Sequence, residues 1–170
     1  RHPPKPRLAK SAAAGAVVAA VSVVRNRIDS PKSETSAVLE FDEFVEIVNE
    51  GPGDFDLSLL EIHDGIGVKH VIPASTILVE GGSLVVFAGG APIFDGTSAV
   101  VEPWCVALPG EVVVQVASTG SLGFNNTGDS VTLQDASAVV LASYAYGSEG
   151  GNNESLVRDP ELTGAFVGHS

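Results

Sequence analysis

The sequence has no methionine, even at position 1, a single cysteine, and only 6% aromatic residues. The missing methionine leads us to expect a chain that is processed, truncated or incompletely known at its start. The lone Cys105 excludes an internal disulfide and any zinc site built on several cysteines. Its ordinary role is that of a small buried hydrophobe. A reactive thiol needs electropositive neighbours, and the nearest charge in sequence is Glu102. The longest apolar run falls short of the ~20 residues that a helix needs to span a bilayer. Basic residues almost vanish after residue 32, where Lys69 and Arg158 face twenty acids and leave a charge of −18. A body that acidic repels phosphates, which argues against a nucleic-acid partner. It stays soluble and attracts cations or basic partners. No G-x-S-x-G, P-loop, H-E-x-x-H or G-x-G-x-x-G context occurs.

What is abundant points to strands. Hydrophobic residues make up 44% of the 170 residues, enough for a core, and they are mostly Val, Ala, Leu and Ile. A branched Cβ packs well on a pleated surface. Nineteen Gly and ten Pro suit an all-β chain with many turns. The segments FVEIVN (44–49), LSLLEIHD (57–64), VKHVIP (68–73), ILVEGGSLVVFAGG (77–90) and 111–118 read as strand regions between Gly- and Pro-rich turns. Residues 123–147 read as turn, strand, tight turn at Asp135-Ala136-Ser137, and strand. Short strands about every ten residues predict a β-sandwich. No helix of normal length is expected after residue 30, and no solenoid repeat is visible.

The start of the chain differs from the rest. Residues 1–32 hold seven Lys or Arg and one acid, Asp29. The basic, Pro-rich RHPPKPRLAK is followed by the apolar SAAAGAVVAAVSVV. That order resembles the first two regions of a secretory signal, although Arg25-Asn26-Arg27 stands where a cleavage site would need small residues. Val21 to Ile28 also reads as a first strand. A third reading makes Ala12 to Val24 an arm that pairs with a neighbouring subunit, through Val17, Val18, Val21, Val23 and Val24. The expected organisation is an arm or signal/anchor remnant over residues 1–20 and a sandwich over 21–170.

Several motifs, in order, resemble the bacterial-type lamin tail domain over most of the chain, from about Val23 to Gly168. Asn26 matches the first, with Arg27 where that family usually has an acid. Glu43-Phe44-Val45-Glu46-Ile47-Val48-Asn49 matches the second fully. Gly53 to Ser58, Pro73 to Ile77 and Gly81 to Phe87 follow. The most specific is Asn126-Thr127-Gly128-Asp129-Ser130-Val131-Thr132-Leu133-Gln134-Asp135, then Tyr146-Gly147 and Asn153 to Pro160. The resemblance implies an immunoglobulin-like sandwich without catalytic activity, an interaction or scaffold role, and often an accessory place in larger secreted proteins.

Local physics assigns these motifs structural work. Gly128 suits positive φ, with Asn126 and Asp129 capping the turn. Val131 and Leu133 share one strand face and Thr132 takes the other. Arg158 is expected to pair with a carboxylate or cap loop carbonyls. Glu43 and Glu46 fall on opposite faces of their strand, a poor catalytic pair.

Candidate chemistry is sparse. His63 and His70, with Asp64, could meet across a hairpin and form a metal or acid–base site; two surface histidines are the simpler expectation. Asp54, Asp56, Asp64, Asp129 and Asp135 lie at turns and could offer oxygen to calcium, but without EF-hand spacing capping explains them better. No other cofactor is implied. Asn125 and Asn153 fit the N-glycosylation sequon. The overall expectation is a non-catalytic module, extracellular or at the cell surface, with protein partners that include a second copy of itself. Two alternatives are a subunit that polymerises into filaments or a lattice through its N-terminal arm, and an accessory domain of a secreted hydrolase.

Overall fold

The computed structural model describes residues 16–22, 43–89, 112–151, 155–160 and 163–169. Nearly every element is a strand. A six-stranded sheet contains β1 (Ala16–Ser22), β2 (Phe44–Asn49), β7 (Ser83–Phe87), β8 (Val112–Val116), β11 (Ser155–Asp159) and β12 (Ala165–His169). Their spatial order is β12-β11-β1-β2-β7-β8. A four-stranded sheet has β4 (Glu61–His63), β5 (Val68–Val71), β9 (Asp129–Gln134) and β10 (Val140–Tyr146) in the order β10-β9-β4-β5. The short pair β3 (Phe55–Asp56) and β6 (Ile77–Leu78) sits apart from both. All ladders are antiparallel except β7–β8, which is parallel. No helix among the described residues is long and apolar enough to cross a membrane.

The two large sheets face each other across an apolar core. Val45, Ile47, Leu84, Val86 and Leu156 come from one sheet, and Ile62, Val131 and Leu133 from the other; all are essentially inaccessible. Burying one such side chain is worth about 1.5–3 kcal/mol. The alternation expected of β9 is present: Val131 and Leu133 are buried while Thr132 is only half-buried.

Three local expectations shift. The segment read as a strand from residue 57 is a strand only over Glu61–His63, because Leu57 and Leu60 close a turn, the Leu60 N–H meeting the Leu57 carbonyl at 3.0 Å. Leu59 in that turn adopts φ +61°, which no strand tolerates. The Gly- and Pro-rich stretch at 50–56, which reads as a turn between the first two strand segments, contributes β3 at its end. At the other end, β1 spans Ala16–Ser22, so the strand straddles the expected boundary between residues 20 and 21. Asn26, Val23, Val24, Cys105 and Asn153 lie outside the described residues.

Candidate interaction surface

The polar groups that sequence reasoning marked for chemistry are spent on holding loops. Asn49, the last residue of the strand motif, is buried; its Nδ2 donates to the carbonyls of Gly53 (2.8 Å) and Leu78 (3.0 Å), and its Oδ1 accepts the Gly51 N–H. Asp129 accepts from four donors: the N–H groups of Gly65 and Ser130 at Oδ1, and the N–H and Nδ2 of Asn125 at Oδ2. Gly128, at φ +133°, lets the chain pass close beneath, since a Cβ there would stand 3.1 Å from the Tyr146 carbonyl oxygen. Glu43 accepts the N–H groups of Gly123 and Phe124, which ties the entry of β2 to the loop before β9.

Asp64 is buried beside this cluster. Burial pushes its carboxyl pKa up, but the Lys69 ammonium 2.8 Å away and the N–H groups of Gly67 and Ile66 outweigh that and hold it below the ordinary carboxylate value. The Tyr146 hydroxyl is buried without a hydrogen-bond partner among the described residues. Burial, then the charges of Asp129, Glu43 and Asp64, hold this phenol protonated far above the ordinary range.

The two histidines do not meet. His63 bonds Glu61 (2.8 Å) and Gln134 (3.1 Å), whereas His70 is 98% buried and bonds across to the other sheet. The expectation of two surface hairpin histidines is therefore corrected for His70, because its strand partner is the core residue Ile62 and both share the inward face. The calcium candidates are dispersed. Asp129 and Asp135 stand at opposite ends of β9, Asp135 capping the Ser137 and Val139 N–H groups. Asp56 accepts the Ser58 N–H, and Asp54 is exposed on the neighbouring turn. No three His, Cys, Asp or Glu among the described residues are grouped to hold a metal ion. Asn125 is exposed, with its amide on Asp129. Arg158 caps a loop carbonyl as expected, donating to Gly164 O at 2.9 Å.

The sandwich has two long sides, and they are finished differently. On one, the edge strands β8 and β5 are stitched together. His70 Nδ1 accepts the Ser118 N–H at 3.1 Å, so Nε2 carries the proton and donates to Gln115 Oε1 at 2.7 Å. Gln115 continues to Thr76 Oγ1, which donates to Pro73 O. Ser118 Oγ accepts the Val71 N–H, and Thr119 Oγ1 donates to Lys69 O. Backbone groups of β5 that an edge would leave open are thereby covered. Burial lowers the His70 pKa, against a smaller opposing effect of the Gln115 bond.

On the other side, β10 and β12 are both edge strands. Their contact is aromatic: Tyr144 stacks on Phe166 with centroids 3.5 Å apart, Tyr146 follows at 6.2 Å from Tyr144, and the Arg158 guanidinium lies 4.6 Å from the Phe166 centroid. Outside this staple, Val139, Val140 and Leu141 are consecutive and exposed at 59%, 53% and 38%, and Val167 is exposed on β12. β10 is seven residues long and carries no charge. Proteins usually blunt such an edge with charge, proline or brevity. Here one register shift between Val140 and Ala142 is the sole such device within the strand. Sequence reasoning missed this patch; the unbroken Val139-Val140-Leu141, where a half-buried strand would alternate, is the signal that could have found it.

Two facing sheets of short, mostly antiparallel strands around one core, with loops laced by side-chain caps, define an immunoglobulin-like β-sandwich. The lamin tail domain family model matches residues 16–148, and the chain belongs to that family. The match starts with the first residue of β1 and stops before β11, so Asn153 to Pro160 lies beyond it. The family is a non-catalytic one, often involved in protein interaction. No curated protein matches the chain.

Proposed function

We propose that this protein is a non-catalytic scaffold module, outside the cell or at its surface, that engages another protein through the β10 side of the sandwich. The observation that carries this reading is the uncharged edge of β10 with Val139, Val140 and Leu141 exposed beside it. An edge strand offers backbone hydrogen bonds, and neighbouring apolar side chains add area and specificity. The acidic body supports solubility and discourages contact with nucleic acid or anionic surfaces. The location outside the cell is what the lamin tail resemblance implies, through the frequent accessory place of such domains in larger secreted proteins.

Placing a photo-crosslinking amino acid at Leu141 in the producing cells tests the surface, with the same group at Ser121, exposed on the stitched side where its carbonyl accepts from Thr119 Oγ1, as the reference. A discrete protein adduct is expected at position 141 and not at 121. Equal labelling at both positions would remove the basis for the reading. Protease treatment of intact cells tests the location: the module should be digested, and full protection would overturn that part. Self-assembly through the N-terminal strand is a second reading, favoured by the placement of β1. The hydrolase-accessory alternative has no comparable feature in the described residues.

A further inference from the structure

β1 holds an unusual place for an N-terminal strand. It pairs with β2 on one side, from Ala16↔Asn49 to Ser22↔Phe44, and with β11 on the other, from Ala20↔Val157 to Ser22↔Ser155. In the order β12-β11-β1-β2 it is the strand that joins the β11–β12 hairpin to the rest of the sheet. Without β1, both β2 and β11 would present open backbone edges to a slot one strand wide. The core residues Val45, Ile47 and Leu156 lie on the strands that flank that slot.

The connection is far longer than its geometry needs. Ser22 and Phe44 are directly opposite each other, yet 21 residues lie between them. Antiparallel neighbours are commonly joined by about 2–5 residues. A connection of this length can extend about 70 Å, whereas a compact domain of this size has a radius of gyration of about 15 Å. The residues before β1 carry Arg1, Lys5, Arg7 and Lys10, while residues 33–170 are strongly acidic. An arm carried to another molecule would therefore bring positive charge onto negative charge.

We propose that β1 is exchanged between copies: Ala16–Ser22 of one molecule fills the slot between β2 and β11 of the next. The occupant of the slot is thus a second copy of this chain. The exchange preserves every backbone pairing of β1, so it loses no ladder energy. Each molecule gives one strand and receives one, a head-to-tail contact that extends into a filament unless its geometry closes a ring. Intramolecular closure competes at an effective concentration in the millimolar range. Exchange is therefore favoured when the chain folds at high local concentration. This inference deepens the scaffold reading by naming the partner at β1, and it is independent of the β10 side.

The test uses the full chain with Cys105→Ser, Ala20→Cys and Val157→Cys. Directly opposite residues of an antiparallel pair stand about 4.5–5.5 Å apart, within disulfide reach. The protein is unfolded under reducing conditions, refolded at high and at low concentration, oxidised, and run on a non-reducing gel. The expected result is a ladder of covalent multimers at high concentration and a monomer band on dilution. The multimer-to-monomer ratio should change about tenfold for a tenfold change in concentration. A second variant lacks residues 26–39, so that β1 reaches only its own slot; it should give the cross-linked monomer at both concentrations, and its circular dichroism reports whether it folds. A monomeric disulfide at every concentration in the full chain overturns the proposal. So does an equal ladder from the shortened variant, or failure of the full chain to form the 20–157 disulfide at all. The Leu141 photo-adduct to another protein is read separately and survives any of these results if the scaffold reading holds.

Discussion

The two long sides of this sandwich solve the same problem by different means. An edge strand must do something with its unpaired N–H and C=O groups. On the β5–β8 side, the His70–Gln115–Thr76 chain with Ser118 and Thr119 occupies them and ties one sheet to the other. On the β10–β12 side, an aromatic staple holds the sheets together, and no described strand pairs with the outer edge of β10, which is apolar. The stitched side is built for stability. The open side keeps stability and availability apart, because Tyr144 and Phe166 face inward while Val140 and Leu141 remain exposed.

That contrast can be broken from the stitched side first. His70→Ala should cost the most, about 3 kcal/mol in denaturant unfolding, since it opens a cavity and strands the Ser118 N–H and Gln115 in the interior. If the loss is under about 0.5 kcal/mol, comparable to an ordinary surface change, these bonds do not stitch the two sheets together. Next comes Phe166→Ala on the open side, at about 2 kcal/mol, because the residue is half-buried and its loss removes one ring contact of Tyr144 and the ring beneath Arg158.

Acid probes the stitched side by a different route. The His70 pKa is lowered in the fold, so the unfolded chain takes up its proton first, from the ordinary value of 6.5 downward. Stability should therefore fall as pH drops below about 6.5, and level off below the folded pKa. Asp64 adds a separate loss that begins only as pH falls through its unfolded value of 3.8. His70→Gln should abolish the first fall and keep the second; urea unfolding at a series of pH values reads both. The pair Val139→Lys with Val140→Lys, both exposed, should shift stability by no more than about 0.5 kcal/mol while removing the cross-link from position 141. The smallest effect is expected for Tyr146→Phe. Its hydroxyl is buried without a partner among the described residues, so thermal unfolding should show no loss and a slight gain.

Much of this architecture was legible from residue order. Phe44–Asn49 is a strand, Gly128 takes positive φ, and Asp135 closes the turn between β9 and β10, because alternation and turn chemistry are local properties. Arg158 was legible as a cap because few bases exist to satisfy so many acceptors. The role of His70 was not. Nothing near it in sequence shows that Gln115, 45 positions away, would arrive at 2.7 Å. Asp129 was readable as a turn cap, but its reach to Gly65 depends on β9 lying against β4.

The start of the chain marks the same boundary. The sequence by itself determined a sandwich of short strands, an acidic body and a basic, apolar beginning, since composition and periodicity are carried by neighbouring residues. Only the tertiary structure decided which edges are covered and that Ala16–Ser22 joins β2 to β11. Those outcomes depend on contacts between segments far apart in the chain, where pairing partners are chosen by the whole fold and not by local preference.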